Sequence, residues 1–178
     1  GLMGGSNSKA KEVIAETQKV SPAVASLLQA KFDLKDEKIE KAKNGVLAVN
    51  SNGNTVIAQL QNEIAVEIAQ SFVKDKKFVE AEKMFREVTQ RFPDSSVAYL
   101  GLGRSLQEQG RVKEALPQLE KSLSIEITGA AFYRLGKTWQ ALGDKPKAIS
   151  FFEKALAFTP ALGTKTRADA EEQLKLLK

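Results

Sequence analysis

Residues 129–162 read GAAFYRLGKTWQALGDKPKAISFFEKALAFTPAL. The same pattern occurs in two earlier segments, 62–95 and 96–128, so three copies follow one another in phase. Counted from the first residue of each copy, position 8 is always glycine or alanine, position 20 is always alanine, and position 32 is proline in two copies. These positions hold Ala69, Gly103 and Gly136, then Ala81, Ala115 and Ala148, then Pro93 and Pro160. Self-similarity at a fixed period of this length predicts a repeat architecture.

Each copy predicts two amphipathic helices joined by a turn. Positions 4, 7, 8 and 11 share one helix face, and positions 20, 24 and 27 share a face of a second helix. A small residue at position 8 allows the two helices to approach closely, and the large residue at position 11 fills the space beside them. Gly110 and Gly143, both at position 15, fall in the turn. Because no pair can bury its apolar face alone, the pairs must stack.

The spacing resembles the tetratricopeptide repeat, which combines a large residue, Leu-Gly, an aromatic residue, Ala-x-x-x-Phe and a closing proline over about 34 residues. The departures are small: Ala65 stands at position 4 of the first copy and Ile127 replaces proline in the second. The resemblance implies an all-α fold, a right-handed superhelical α-solenoid of stacked antiparallel helix pairs. The three repeats are then 62–95, 96–128 and 129–162.

One stretch inside the third repeat suggests a different chemistry. Residues 131–138, AFYRLGKT, are one glycine short of the phosphate-binding pattern G-x-x-x-x-G-K-[ST]. A phosphate loop follows a strand and presents unbonded backbone N–H groups, whereas this stretch lies within a predicted helix. Nucleotide binding is therefore not expected, and Gly136 is interpreted as a helix-packing residue.

The segments that flank the repeats are helical in prediction but less regular. Residues 1–8 are rich in Gly, Ser and Asn and predict a flexible tail. Residues 9–61 predict short helices and a candidate degenerate repeat, because Ala42, Val46 and Val49 reproduce the spacing of positions 20, 24 and 27. Ser21-Pro22 reads as a helix start, and a break at 50–54 precedes a helix expected from Thr55 through Lys74.

The last segment, 163–178, predicts a capping helix. Ala170, Leu174 and Leu177 lie on one of its faces, and charged residues cover the other. A solenoid needs a terminal element of this kind to shield its last apolar face.

Composition excludes several kinds of active site. The chain of 178 residues has no Cys and no His, which removes thiol nucleophiles, imidazole-based catalysis and cysteine- or histidine-ligated zinc. No pair of carboxylates departs from the helical charge pattern, so neither an enzyme, nor a metal site, nor a cofactor is expected. The net charge of +5 is spread along the chain without a basic stripe, so nucleic-acid binding is not expected. No apolar run reaches the roughly 20 residues of a membrane span.

The resemblance also implies a binding surface. In tetratricopeptide proteins, the first helices of successive repeats line a concave groove that accepts a peptide or helix of a partner, and positions 2, 5, 9, 12 and 13 face it. Val66 and Val73 stand at such positions. The candidate groove residues are Gln70, Lys74, Leu100, Arg104, Gln107, Tyr133, Arg134, Lys137 and Gln140. Cations outnumber carboxylates here, so the chain is expected to be a non-catalytic interaction scaffold for an acidic partner segment with a few apolar anchors.

One well-known kind of partner does not fit the sequence. The branch of the family that binds the C-terminal tails of heat-shock chaperones uses a Lys/Asn/Asn/Lys/Arg clamp for the terminal carboxylate. The corresponding positions here hold Val66, Gln70, Gly101, Ala130 and Arg134, of which Arg134 alone matches. Heat-shock chaperone tails are therefore not expected as partners.

A second hypothesis concerns the membrane. From Met3 the chain reads MGGSNS, which fits the N-myristoylation signal M-G-x-x-x-[ST] with Gly4 as the acceptor. That modification requires Gly4 to become the N-terminal residue. The alternative to a soluble, cytoplasmic scaffold is thus a membrane-tethered adaptor that recruits a soluble partner.

Overall fold

The computed structural model describes residues 2–158 and 162–178, with side chains from Asn7 onward within those ranges. Over these residues the chain forms ten α-helices and no strand. The helices are α1 Leu2–Val20, α2 Pro22–Lys35, α3 Ile39–Ala48, α4 Thr55–Lys74, α5 Phe78–Arg91, α6 Ser96–Glu108, α7 Val112–Ile125, α8 Gly129–Ala141, α9 Lys145–Ala157 and α10 Thr164–Leu177. The all-α prediction is confirmed.

The chain divides into two compact units, residues 1–71 and 72–178. The boundary falls inside α4, so the predicted first repeat, 62–95, is shared between the two units. Residues 2–8, predicted to belong to a flexible tail, form the start of α1, and the flexibility of this segment stays a prediction. Low local helix propensity is overridden there, since extending an existing helix adds a hydrogen bond per residue without a new nucleation step.

Local capping chemistry explains where the helices of the N-terminal unit begin. Ser21 caps α2, its hydroxyl accepting from the Val24 amide at 3.4 Å, and Pro22 occupies the first turn. Asn54 caps α4 by accepting from the Ile57 amide at 3.1 Å. Both predicted helix starts are confirmed.

The turns between paired helices repeat the same geometry four times. In each turn the amide of position 15 donates to the carbonyl of position 12, and the amide of position 16 donates to the carbonyl of position 11, at 2.8–3.1 Å. These two hydrogen bonds end the first helix of the pair, and they require one residue in the left-handed region. The residues with that conformation, at φ 58–82°, are Glu37, Lys76, Gly110 and Gly143.

The first of these turns identifies α2 and α3 as a helix pair of the same kind. Counted from Ala23, Glu37 is position 15, and α3 begins at position 17, as α5, α7 and α9 do. Ala42 and Val46 then fall at positions 20 and 24, where both are fully buried. The candidate degenerate repeat within 9–61 therefore has the backbone of a repeat and spans α2 and α3; it is called the N-terminal repeat below.

The C-terminal unit stacks its helices in sequence order. Each helix from α5 to α9 packs on the next one in sequence, and α6 also packs on α8. Helices α6 and α8 begin at position 1 of their repeats, and α10 begins at Thr164, which is position 2 counted from Gly163, so the capping helix takes the place of a further first helix. Ala170 is buried against Ala148 and Phe152, with Leu174 and Leu177 packed around them.

Close approach within each pair occurs where position 8 meets position 24. A Cβ atom at Gly103 would lie 2.5 Å from Leu119 Cδ2, and one at Gly136 would lie 2.8 Å from Phe152 Cδ1. Gly101 has an even closer neighbour, since its Cβ would lie 2.2 Å from Phe85 Cζ. The alanines at position 20, Ala81, Ala115 and Ala148, are fully buried.

The prolines occupy three different contexts. Pro117 lies inside α7, which runs from Val112 to Ile125, and its ring removes one backbone N–H from the hydrogen bonds of that helix. Pro93 lies in the turn between α5 and α6. Pro160, the predicted helix stop of the third repeat, lies outside the described residues.

The left-handed residue at position 15 generates a stability prediction. Lys76→Gly should raise the free energy of unfolding by up to about 1 kcal/mol, because a non-glycine residue in the left-handed region costs about 1–2 kcal/mol, partly offset by the greater chain entropy of glycine. The control is Lys83→Gly on the exposed part of α5, which should destabilise by about 1 kcal/mol. Chemical denaturation measures both, and equal losses would contradict the strain argument.

The close crossing of α8 and α9 at Gly136 generates a second stability prediction. Gly136→Leu should destabilise by roughly 1–3 kcal/mol or more, because Phe152 occupies the space that the new side chain needs. Gly45→Ala is the matched control: its Cβ would meet Ala30 Cβ at an ordinary 3.5 Å, so the change should stabilise α3 by about 0.5–1 kcal/mol. Thermal unfolding of both variants checks this, and an unchanged melting temperature for Gly136→Leu would show that the crossing is not tightly packed.

Candidate partner-binding face

Neighbouring first helices of the C-terminal unit are joined by glutamines at position 12. Gln107 Nε2 donates to the Arg134 carbonyl at 2.9 Å and to Thr138 Oγ1 at 2.6 Å, which links α6 to α8. Gln140 Nε2 donates to Gln173 Oε1 at 2.8 Å, which links α8 to α10 in the same way. The surface formed by α6, α8 and α10 is called the helix face below.

Tyr133 and Lys137 on α8 converge on Asp169 of α10. The Tyr133 hydroxyl donates to Asp169 Oδ2 at 2.6 Å, and Lys137 Nζ lies 3.5 Å from the same oxygen. Burial, followed by this hydrogen bond, raises the pKa of Tyr133 to about 12. Asp169 thus neutralises one cation of the helix face and fixes its tyrosine.

The three predicted cations of the helix face differ in their partners. Arg134 Nη1 lies 3.2 Å from Glu108 Oε1, and its guanidinium stands 5.6 Å from the centre of the Tyr133 ring. Arg104 is exposed, and no carboxylate of the described residues lies within 4.0 Å of it. Desolvation by its surroundings and then the charge of Arg134 lower the pKa of Arg104. Of the three predicted cations, Arg104 is thus the one without an ion-pair partner among the described residues.

A depression lies between α6 and α8, beside these charges. It has a volume of about 290 Å³, and its lining includes Gln107, Tyr133, Arg134 and Lys137. Leu100, the predicted apolar anchor on α6, is half-buried. The structure thus brings together cations, a tyrosine ring and a concave surface.

Other predicted site residues lie elsewhere. Gln70 and Lys74 are exposed on α4, but Gln70 belongs to the N-terminal unit. Val66 and Val73, expected to line the groove, are instead buried, with 8% and 5% of their surface exposed. Their packing against apolar neighbours outweighs the rotation argument that placed them in solvent. Gly4 lies near the start of α1, and its myristoylation stays a prediction.

Sequence reasoning missed Asp169 and Gln173, and it assigned Gln107 and Gln140 to the partner. Both glutamines use their amides between helices. The sequence did contain a signal for these bonds between helices, because glutamine stands at position 12 in two consecutive repeats and α10 follows as a further first helix. What the pattern lacked was the stacking distance that brings α10 within reach of α8.

The described part of the chain carries neither of two other kinds of feature. It holds no group of three or more His, Cys, Asp or Glu side chains able to bind a metal ion. None of its helices combines the length and the apolar character that crossing a membrane requires.

Two tetratricopeptide repeat models match the sequence, one over residues 72–126 and the other over residues 129–162. Together they cover half of the chain. The chain belongs to the tetratricopeptide repeat family. The second match has the same limits as the third repeat of this tetratricopeptide protein. The first match covers α5, α6 and α7.

Solved structures with the same fold share little sequence with this tetratricopeptide protein. PcrH, in complex with the chaperone binding region of PopD, is 22% identical with a TM-score of 0.59, over 65% of this chain and 89% of the PcrH chain. The type III secretion chaperone SycD of Yersinia enterocolitica, with a peptide of the translocator YopD, is 17% identical with a TM-score of 0.60, over 72% and 96%. MamA is 15% identical with a TM-score of 0.62, over 89% and 87%. No curated protein matches the chain. The predicted solenoid fold class is confirmed.

The raised pKa of Tyr133 generates a third prediction. The folded state favours the neutral phenol, so its stabilising effect is complete below pH 10 and is lost as the pH rises to about 12. Ultraviolet titration should show one of the two tyrosines ionising near pH 12, and Tyr133→Phe should remove that step. Asp169→Asn should lower the pKa of Tyr133 towards its ordinary value. A titration unaffected by Asp169→Asn would show that the hydrogen bond contributes nothing.

Proposed function

We propose that this tetratricopeptide protein is a non-catalytic interaction module that binds an acidic peptide or helix of a protein partner on its helix face. The observation that carries the proposal is the arrangement around Arg104. Its exposed guanidinium has no ion-pair partner among the described residues and stands near Arg134, which lines the depression between α6 and α8. A carboxylate of the partner would form there the close ion pair that Arg104 lacks among the described residues.

Apolar contacts with the partner would slow its dissociation more than the charged contacts do. Leu100 and the Tyr133 ring are half-buried, and the ring is held in place by Asp169 and by Phe152, 6.1 Å away between ring centres. A fixed aromatic ring gives contact area at a small cost in side-chain entropy. PcrH and SycD, which have the same fold, were solved with segments of PopD and YopD, and this supports a peptide ligand here.

The charges on the helix face indicate how many carboxylates a partner segment would carry. Three cations stand against the carboxylates of Glu108 and Asp169, so the long-range attraction is modest. A segment with one or two carboxylates among apolar residues fits better than a polyacidic tail. The heat-shock chaperone clamp is not expected here, since Arg134 alone matches it and the Phe85 ring fills the space that a side chain at Gly101 would need.

Charge reversal tests the proposal. Arg104→Glu should leave the melting temperature nearly unchanged, because an exposed charge contributes about 0–1 kcal/mol to stability. It should reduce recovery of the partner proteins by roughly tenfold, mainly through slower association at low salt. The measurement is quantitative affinity purification from native extract, read by mass spectrometry.

The matched control is Lys121→Glu, which reverses an exposed cation on α7, outside the helix face. Its partner recovery should equal that of the unmodified protein. If Arg104→Glu also recovers the same proteins in the same amounts, partners do not bind at the helix face.

A further inference from the structure

The N-terminal repeat keeps the repeat backbone but changes its core chemistry. Positions 7 and 11 hold Leu102 and Leu106 in the second repeat, and both are buried in the apolar core. At the same positions the N-terminal repeat has Gln29 and Asp33. A carboxylate therefore stands where the other repeats place a large apolar side chain.

Asp33 is buried and only partly satisfied. Its side chain is 3% exposed. Gln29 Nε2 donates to its Oδ1 at 3.1 Å, and Lys41 Nζ lies 3.2 Å from the same oxygen. Among the described residues, no hydrogen bond or ion pair reaches its Oδ2. Oδ2 is not among the fully buried atoms that lack a partner, so it keeps contact with solvent, where a further donor can reach it.

The same substitutions open a crevice beside Asp33. In the third repeat, positions 4 and 23 hold Phe132 and Phe151, whose ring centres are 6.2 Å apart. The N-terminal repeat has Ser26 and Gly45 there. Without the two rings, a crevice of about 430 Å³ lies among α1, α2 and α3, and Asp33 is part of its lining.

The lining of the crevice specifies the chemistry of a ligand. Its surface is largely apolar, contributed by small residues such as Ala25, Ala30 and Ala48, while Gln18 and Asn44 add amides. A suitable ligand has an extended apolar stem and ends in a planar cation with several donors. An arginine side chain has both, and its guanidinium can bond both oxygens of a carboxylate at once.

Lys41 currently occupies the position of that cation. It stands at position 19, where Lys147 of the third repeat lies over the Trp139 ring, 3.8 Å from its centre. The Lys41 side chain is 65% exposed, so it can turn into solvent with little loss of packing. An ammonium engages one carboxylate oxygen as a point charge, whereas a guanidinium would also satisfy Oδ2.

We propose that the crevice among α1, α2 and α3 is a second binding site, which receives an arginine side chain presented by a protein partner and pairs its guanidinium with Asp33. This site lies wholly within the N-terminal unit and uses none of the residues of the helix face. The module would then recognise a basic residue here independently of the acidic segment on the helix face.

The test uses the full chain, labelled with nitrogen-15, and N-acetyl-arginine N-methylamide as the probe in two-dimensional NMR. We expect saturable shifts of the amides around Asp33 and Gly45. The uncharged isostere N-acetyl-citrulline N-methylamide should bind at least about tenfold more weakly, because it lacks the charge-assisted bonds. The lysine analogue should fall between them. No saturable shift with arginine, or equal binding of the citrulline probe, would overturn the proposal.

Two variants locate the site. Asp33→Asn keeps the shape of the side chain and should weaken the arginine probe by about tenfold or more, while arginine binding equal to that of the unmodified chain would overturn the assignment. Ser26→Phe with Gly45→Phe restores the aromatic pair of the third repeat and should abolish binding without lowering the melting temperature. Arginine shifts that persist in a folded double variant would place the site elsewhere. If this variant does not fold, Asp33→Asn alone decides.

Discussion

The close approach of two helices at position 8 constrains most of this structure. At Gly103 and Gly136 there is no room for a Cβ atom, because Leu119 and Phe152 at position 24 already fill it. That contact fixes the distance between the helices of a pair, and the distance fixes how large the side chains at positions 7, 11 and 20 can be. The fully buried alanines at position 20 follow from the same limit. The turn must then return the chain at a set angle, which explains why one residue in each turn is left-handed.

Stacking of the pairs depends on a second, polar contact. The glutamines at position 12 carry hydrogen bonds from one first helix to the next, so they stabilise the array while leaving the helix face partly polar. The same stacking brings carboxylates of neighbouring helices onto Arg134 and Lys137. Of the three cations predicted to line the groove, two are therefore paired, and Arg104 has no carboxylate within 4.0 Å among the described residues. Recognition by such a face depends more on shape and apolar contact than on net charge.

The fold could be read from the sequence because its determinants are local and repeated. Three copies in phase specify the helix pairs, and capping residues such as Ser21 and Asn54 mark helix starts within a few residues. The helical residues 2–8 were not predictable from propensity, since they continue a helix that nucleates elsewhere. At the candidate site the sequence indicated which residues lie near the helix face, but not which are already bonded. Bonds such as Tyr133 to Asp169 join residues 36 apart and depend on stacking geometry, which the pattern of one repeat does not contain.

The N-terminal repeat shows how few positions the backbone requires. Ala30, Ala42 and Val46 occupy positions 8, 20 and 24, and with them the turn at Glu37 keeps the geometry of the other three. Polar or small residues can then replace large apolar ones at positions 4, 7, 11 and 23. These side chains lie beside the helix crossing and do not set the distance between the two helices. In the third repeat they hold Phe132, Leu135, Trp139 and Phe151, and in the N-terminal repeat they hold Ser26, Gln29, Asp33 and Gly45. Replacing apolar packing by a buried carboxylate and an open crevice lowers stability, because the carboxylate loses most of its hydration. A repeat that carries such a cost at four positions, all lining one crevice, is better explained by a ligand for that crevice than by relaxed packing, since relaxed packing would not also bury a charge.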